Sequence, residues 1–244
     1  MESLRMKPIS IMWSAGVTEE EARLAIKTIQ EQVEALFSGN EKPRRPRNIV
    51  PVLPVVRPLG TWYIPDLPQG APYWGTQWYI ERTLHPELGR IRGPEFLRLV
   101  QLEPWQNHAP HFDMALVEYE VMEDPDDSPH LTTLGMTLPG TATVVSVAPL
   151  RLIHDPLDRE RALRRLIIHQ LGHLARVPRP GRTKNVTLAT GEPHCTALCA
   201  MRDARNVFEL VRYAKEEAEA GVTLCPDCEN DLRVQLISAQ FSLN

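Results

Sequence analysis

The apolar positions of this chain follow two periods. PISIMW, near the start, is a short, mostly apolar run that predicts a strand. After a turn, Ala22, Ile26, Ile29, Val33 and Leu36 recur at three- and four-residue spacing, which predicts a helix over about 19–37 with one face on a sheet. Thr18 followed by Glu21 is the capping-box pattern that opens such a helix. The segment 93–101 also reads as helical, and the valine-rich runs MALVEYEVM and TATVVSVAPL read as sheet strands. Asp155 and Pro156 supply an N-cap and a first-turn residue for a helix that can run over 156–177 before Pro178 ends it. Along it Leu163, Leu166, Ile167, Leu171 and Leu174 form an apolar stripe. A helix is expected to resume from about Met201 to Ala220, with Gly221 as its stop. Strands and helices alternate, so the architecture is mixed α/β.

Between the periodic segments the composition changes. From Lys42 to Gly75 prolines are dense, with KPRRPR followed by NIVPVLPVV, which reads as a basic exposed turn, an edge strand and a long connection. Residues 178–193, PRPGRTKNVTLATGEP, have the prolines, glycines and polar residues of a long loop.

Size and charge narrow the function classes. A chain of 244 residues with 43% hydrophobic content can bury a real core. Its 27 basic and 31 acidic residues are mixed along the sequence, so no broad cationic surface is implied. The opening MESLRMKPISIMWSAGV has too brief an apolar run for a secretory leader or a membrane span. A cytoplasmic protein without nucleic-acid or membrane partners is therefore expected.

Two constellations carry chemistry. His169 and His173, in HQLGH, stand one helical turn apart, so both imidazoles project from one side of the helix, as two zinc ligands must. That pair alone is not specific, because histidines also sit satisfied in cores and on helix surfaces. Catalytic zinc uses three protein ligands, and His194, beyond the loop, is the third candidate. Upstream, His108 and His111 in QNHAPHFD form a close pair that reads as a polar loop, with a substrate contact or a second metal site as the alternative.

The second constellation is stronger. Cys195-x3-Cys199 and Cys225-Pro-Asp-Cys228 are two short pairs that a tetrahedral tetrathiolate zinc site can bridge, with no cysteine left over. In a reducing compartment such clustering favours metal over disulfides. A redox dithiol at Cys225 and Cys228 is the lesser rival, since the strand-before, helix-after pattern of thioredoxin-like proteins is not evident. A zinc-ribbon binder of nucleic acid is disfavoured by Glu216, Glu217, Glu219, Asp227, Glu229 and Asp231 around the cysteines.

In order, the chain has His169, His173, the pair His194-Cys195, then Cys-Ala-Met over 199–201, then Cys-Pro-Asp-Cys over 225–228. This C-terminal third resembles the archaemetzincins, zinc metallopeptidases of the metzincin clan, and VVSVAPLRL resembles the segment before their active-site helix. The resemblance implies a metzincin-like mixed sheet with an active-site helix in residues 1–177. It also implies a small zinc-bound C-terminal subdomain in 178–244. His169, His173 and His194 would hold a catalytic zinc, Met201 would form the Met-turn beneath it, and the four cysteines would hold a structural zinc. The chain would then carry two Zn2+ and act on a peptide or protein.

Three departures stand out. Gln170 occupies the family's general-base glutamate position, Arg176 its turn glycine, and the third histidine arrives about fifteen residues later than the family spacing. An amide can orient water but cannot take its proton, and general acid–base help is worth roughly 10²–10⁴-fold. Zinc binding with weakened or absent peptide hydrolysis is therefore expected. The alternative is an inactive pseudo-peptidase acting as a peptide- or protein-binding regulatory module. A natural loss of the base, a substitution introduced into an active enzyme, and a substitute base such as Glu192 all stay open, although an ordinary loop carboxylate is the simpler reading of Glu192.

Overall fold

The computed structural model describes residues 5–38, 54–61, 75–103, 106, 109–123, 131–189 and 191–241. Its centre is a five-stranded sheet. β2 (Ile9–Trp13), β3 (Val56–Gly60), β5 (Phe112–Val117) and β9 (Ala142–Ser146) run parallel, and β8 (Gly135–Leu138) is antiparallel to β9, in the order β3-β2-β5-β9-β8. The side-chain alternation of a strand explains the layers. Ile9, Ile11, Phe112, Met114, Leu116 and Val145 face one side, and Met12, Ala115, Val117, Ala142 and Val144 face the other. The first face is covered by α1 (Glu19–Ser38) and α4 (Pro156–Leu174), the second by α2 (Thr76–Thr83) and α3 (Gly93–Gln101). A core strand covered on both faces needs apolar residues at consecutive positions, and β5 and β9 have them.

Smaller elements frame this sandwich. β4 (Ile91–Arg92), β6 (Val121–Met122) and β7 (Thr132–Thr133) make a short sheet, and β10 (Val186–Ala189) with β11 (Glu192–Cys195) makes a hairpin. Beyond it come α5 (Val207–Glu219), α6 (Pro226–Ser238) and β12 (Gln240–Phe241), which pairs with β1 (Arg5–Met6). Leu210, Leu224, Leu232 and Leu236 from this last part join the same apolar cluster as α1 and α4. Among the described residues no helix is long and apolar enough to cross a membrane.

Local signals in the sequence are realised closely. The Thr18 hydroxyl accepts from the Glu21 N–H while the Glu21 carboxylate accepts from the Thr18 N–H, and Asp155 caps α4 by accepting from the Asp158 N–H. The edge strand expected in the proline-rich stretch is β3, at the sheet margin. KPRRPR, His108 and His130 lie outside the described residues.

Four expectations need correction. The run MALVEYEVM divides at Glu118–Glu120 into β5 and β6, because the two halves pair with different sheets. The helix expected from Met201 begins instead at Val207, since Asn206 is its N-cap and accepts from the Glu209 N–H. The long loop over 178–193 contains β10 and the start of β11. The helix expected over 156–177 ends at Leu174. There the Val177 N–H bonds the Gly172 carbonyl and the Arg176 N–H bonds the His173 carbonyl, the paired bonds of a Schellman turn. That turn needs a left-handed residue, and Arg176 adopts it at φ 62° where glycine would pay no steric cost.

Candidate metal centres

α4 and the β10–β11 hairpin bring three imidazoles together. His169 and His173 project from one side of the helix, and His194 arrives on β11, where it sits opposite Thr187. All three are buried. His173 Nε2 lies 3.1 Å from His169 Nε2 and 3.2 Å from His194 Nε2. Nitrogens bound tetrahedrally at zinc distances are separated by about 3.3 Å.

The outer ring nitrogens explain why these three atoms face one another. His169 Nδ1 is 2.8 Å from the Ala200 carbonyl, and His194 Nδ1 is 3.0 Å from the Glu192 carbonyl. His173 Nδ1 is 3.4 Å from the Glu192 carboxylate. Each of these oxygens only accepts, so each Nδ1 carries the proton and each Nε2 presents a lone pair. Three acceptors converge with no hydrogen to share. Protons do not resolve the conflict, because burial keeps all three rings neutral: His173 is held down to about 3 by burial and then by His194, and His169 and His194 are lowered chiefly by burial as well. Neutral imidazoles anchored through their outer nitrogens are what a zinc ion requires, so the donor set fits the metal.

Beneath the histidines, Met201 is fully buried, and a Cβ at Gly172 would overlap its thioether. Gly172 lets the thioether approach this closely, and the methionine packs against the helix turn that carries both histidines.

Gln170 is buried against the sheet. Its Oε1 accepts from the Thr137 hydroxyl at 2.6 Å and lies 2.9 Å from the Thr143 hydroxyl, whose single proton also has the Met136 carbonyl within 3.0 Å. Its Nε2 abuts Gly135, where a side chain would collide with it. His169, Gln170 and His194 line a cleft of about 310 Å³ together with β8 residues Gly135 to Thr137 and the carboxylates of Glu123, Glu192 and Asp203. The Glu192 carboxyl is raised by burial and then by Glu123. Its hold on His173 Nδ1 makes it an orienting group for that ring.

The four cysteines also converge. All are buried and reduced, with their sulfurs within 4.8 Å of one another and Cys195 Sγ 3.7 Å from Cys225 Sγ. Sulfurs on a tetrahedral zinc are separated by about 3.8 Å. Backbone N–H groups of Met201 and Cys225 donate to Cys199 Sγ, and the Arg182 guanidinium donates to Cys228 Sγ. Hydrogen bonds from Cys199 and Cys228 pull the Cys195 thiol down, and the same bonds push theirs up. One thiolate, at Cys195, is favoured by the thiols around it, whose protons a cation would replace. Cys225 caps α6 and Cys228 lies in its first turn, so a helix does follow this pair, contrary to expectation. The clustering of all four sulfurs still sets it apart from an isolated dithiol.

β11 links the two centres. Adjacent strand residues point to opposite faces, so His194 turns to the imidazoles and Cys195 to the sulfurs. Every metal-site residue expected from sequence is therefore brought into one of two clusters. Thr137 and Thr143 were not foreseen, because nothing in a strand's sequence reveals what lies across from it. His111, expected in a polar loop, is instead 1% exposed beside Asp113.

No family model and no curated protein matches the chain. Among solved structures, the fold is similar to that of the archaemetzincin from Methanopyrus kandleri, with a TM-score of 0.56 and 17% identity over 96% of each chain. The chain thus has the mixed α/β fold of an archaemetzincin, and the two metal-competent clusters lie within it.

Proposed function

We propose that this protein is an archaemetzincin-like zinc metallopeptidase homologue that binds an extended peptide in its histidine cleft and hydrolyses it weakly or not at all. The observation that carries this is the convergence of three lone-pair nitrogens beside an amide in place of a base. Two zinc ions per chain are proposed, one held by His169, His173 and His194 and one by Cys195, Cys199, Cys225 and Cys228. A reducing compartment such as the cytoplasm keeps those thiols available.

When bound at the histidines, zinc supplies Lewis acidity toward a water and a carbonyl oxygen. The chain's own groups do the rest. Among the described residues β8 is the last strand of the sheet and lines the cleft, so an extended peptide can pair along its outer edge beyond Gly135, whose carbonyl the Thr133 hydroxyl already holds. Gln170 can hold a water by hydrogen bonding but cannot store its proton, and the Thr137 hydroxyl already occupies its oxygen.

That engagement of Gln170 favours a second reading, a peptide-binding module without turnover. Fluorescence anisotropy with an unstructured labelled peptide, followed by product analysis, separates the two. Chelator-sensitive cleavage supports the peptidase, and affinity lost in His194→Ala without cleavage supports the module. Neither binding nor cleavage by the zinc-loaded chain would sink both.

A further inference from the structure

Away from the histidines, Glu103 follows the end of α3, while His111 and Asp113 lie at the start of β5, and all three are at most 1% exposed. Their candidate ligand atoms lie within 4.8 Å of one another. Each residue has one polar atom held from outside. The Tyr79 hydroxyl donates to Glu103 Oε1, Gln106 Nε2 donates to Asp113 Oδ2 at 2.5 Å, and His111 Nδ1 meets the Ala109 carbonyl at 2.7 Å. The other atom of each, Glu103 Oε2, Asp113 Oδ1 and His111 Nε2, is buried with no hydrogen-bond partner. His111 Nε2 also approaches Asp113 Oδ2 at 3.2 Å, an ion-pair distance.

Buried polar atoms are nearly always satisfied, so three orphans at one point call for a missing partner. With Nδ1–H committed to a carbonyl, Nε2 faces two carboxylates, and a proton or a cation has to stand between them. Lys7 does not complete it, since its Nζ bonds the Gly140 carbonyl and lies over the Phe112 ring. A cation supplies charge and accepts all three lone pairs, and the outer partners orient each ligand as supporting groups around a metal do.

We propose that Glu103, His111 and Asp113 form a third metal site, for a divalent first-row transition ion such as zinc or manganese, which this mix of imidazole and carboxylate suits. The ion clamps the exit of α3 to the start of β5, and its role is structural.

Native mass spectrometry of the full chain, stripped by chelator and reloaded with zinc chloride or with manganese chloride, counts the ions. In zinc, three per chain are expected, falling to two in Glu103→Gln and separately to two in His194→Ala or Cys228→Ser. Anomalous diffraction from wild-type crystals grown with each salt needs no variant and should place a peak between the three side chains. A wild-type count of two in zinc with that position empty of anomalous density, or a count unchanged in Glu103→Gln, overturns the site without bearing on the histidine cluster.

Discussion

Replacing Gln170 by glutamate tests the link between this fold and hydrolysis. The side chain keeps its length, and its position already faces two hydroxyls, at 2.6 and 2.9 Å from Oε1. Against a carboxylate both become charge-assisted, each worth about 1.5–3 kcal/mol where a neutral bond is worth about 0.5–1.5. The gain of roughly 2–3 kcal/mol for the pair offsets much of the several kcal/mol that burying a charge costs. The variant should fold with a modest loss of stability in the absence of metal. What it acquires is a proton acceptor in the cleft with His169 and His194. Positioned acid–base catalysis contributes roughly 10²–10⁴-fold, so zinc-loaded Gln170→Glu should cleave an internally quenched unstructured peptide that much faster than wild type, with the gain abolished by chelator. Matched zinc content with rates within about threefold of each other would refute the reasoning, because the missing base would then not be what limits the chain.

Other expectations follow from single contacts. Arg176→Gly relieves a left-handed arginine that costs about 1–2 kcal/mol, partly offset by the freer unfolded glycine, so thermal unfolding should show a gain of up to about 1 kcal/mol; a loss would mean the guanidinium's contact with the Pro139 carbonyl matters more. Gly172→Ala drives a methyl into the Met201 thioether and should cost about 1–3 kcal/mol and weaken zinc retention, whereas unchanged melting and metal content would show that the methionine moves aside freely. The metal-free chain should lose stability in acid. His169, His173 and His194 titrate in the fold below their unfolded value near 6.5, so below that pH the unfolded chain binds protons that the folded chain refuses. The loss should begin below about pH 6.5 and continue toward about 3 for His173, and a urea midpoint flat between pH 7.5 and 4.5 would contradict it.

Much of the architecture was legible because it depends on local rules. The Thr18–Glu21 box, the Asp155 cap, the bounds of α3 and the helical spacing of His169 and His173 follow from short-range hydrogen bonding and periodicity. The stripe of Leu163, Leu166, Ile167, Leu171 and Leu174 was likewise visible, and all five are buried. Where α4 stops was harder to see, since Arg176 adopts a left-handed turn that its side chain does not advertise.

The residue types that could hold metal, the mixed α/β character of the chain and the amide that follows the first helix histidine could all be read from residue order alone. It took the packed fold to show that a hairpin inside the apparent loop delivers His194 to the helix, that Thr137 and Thr143 face Gln170, and that Glu103, His111 and Asp113 meet in the core. The reason is one of range. Helix spacing and caps act over three or four residues, whereas these meetings join segments linked only through packing on a shared sheet.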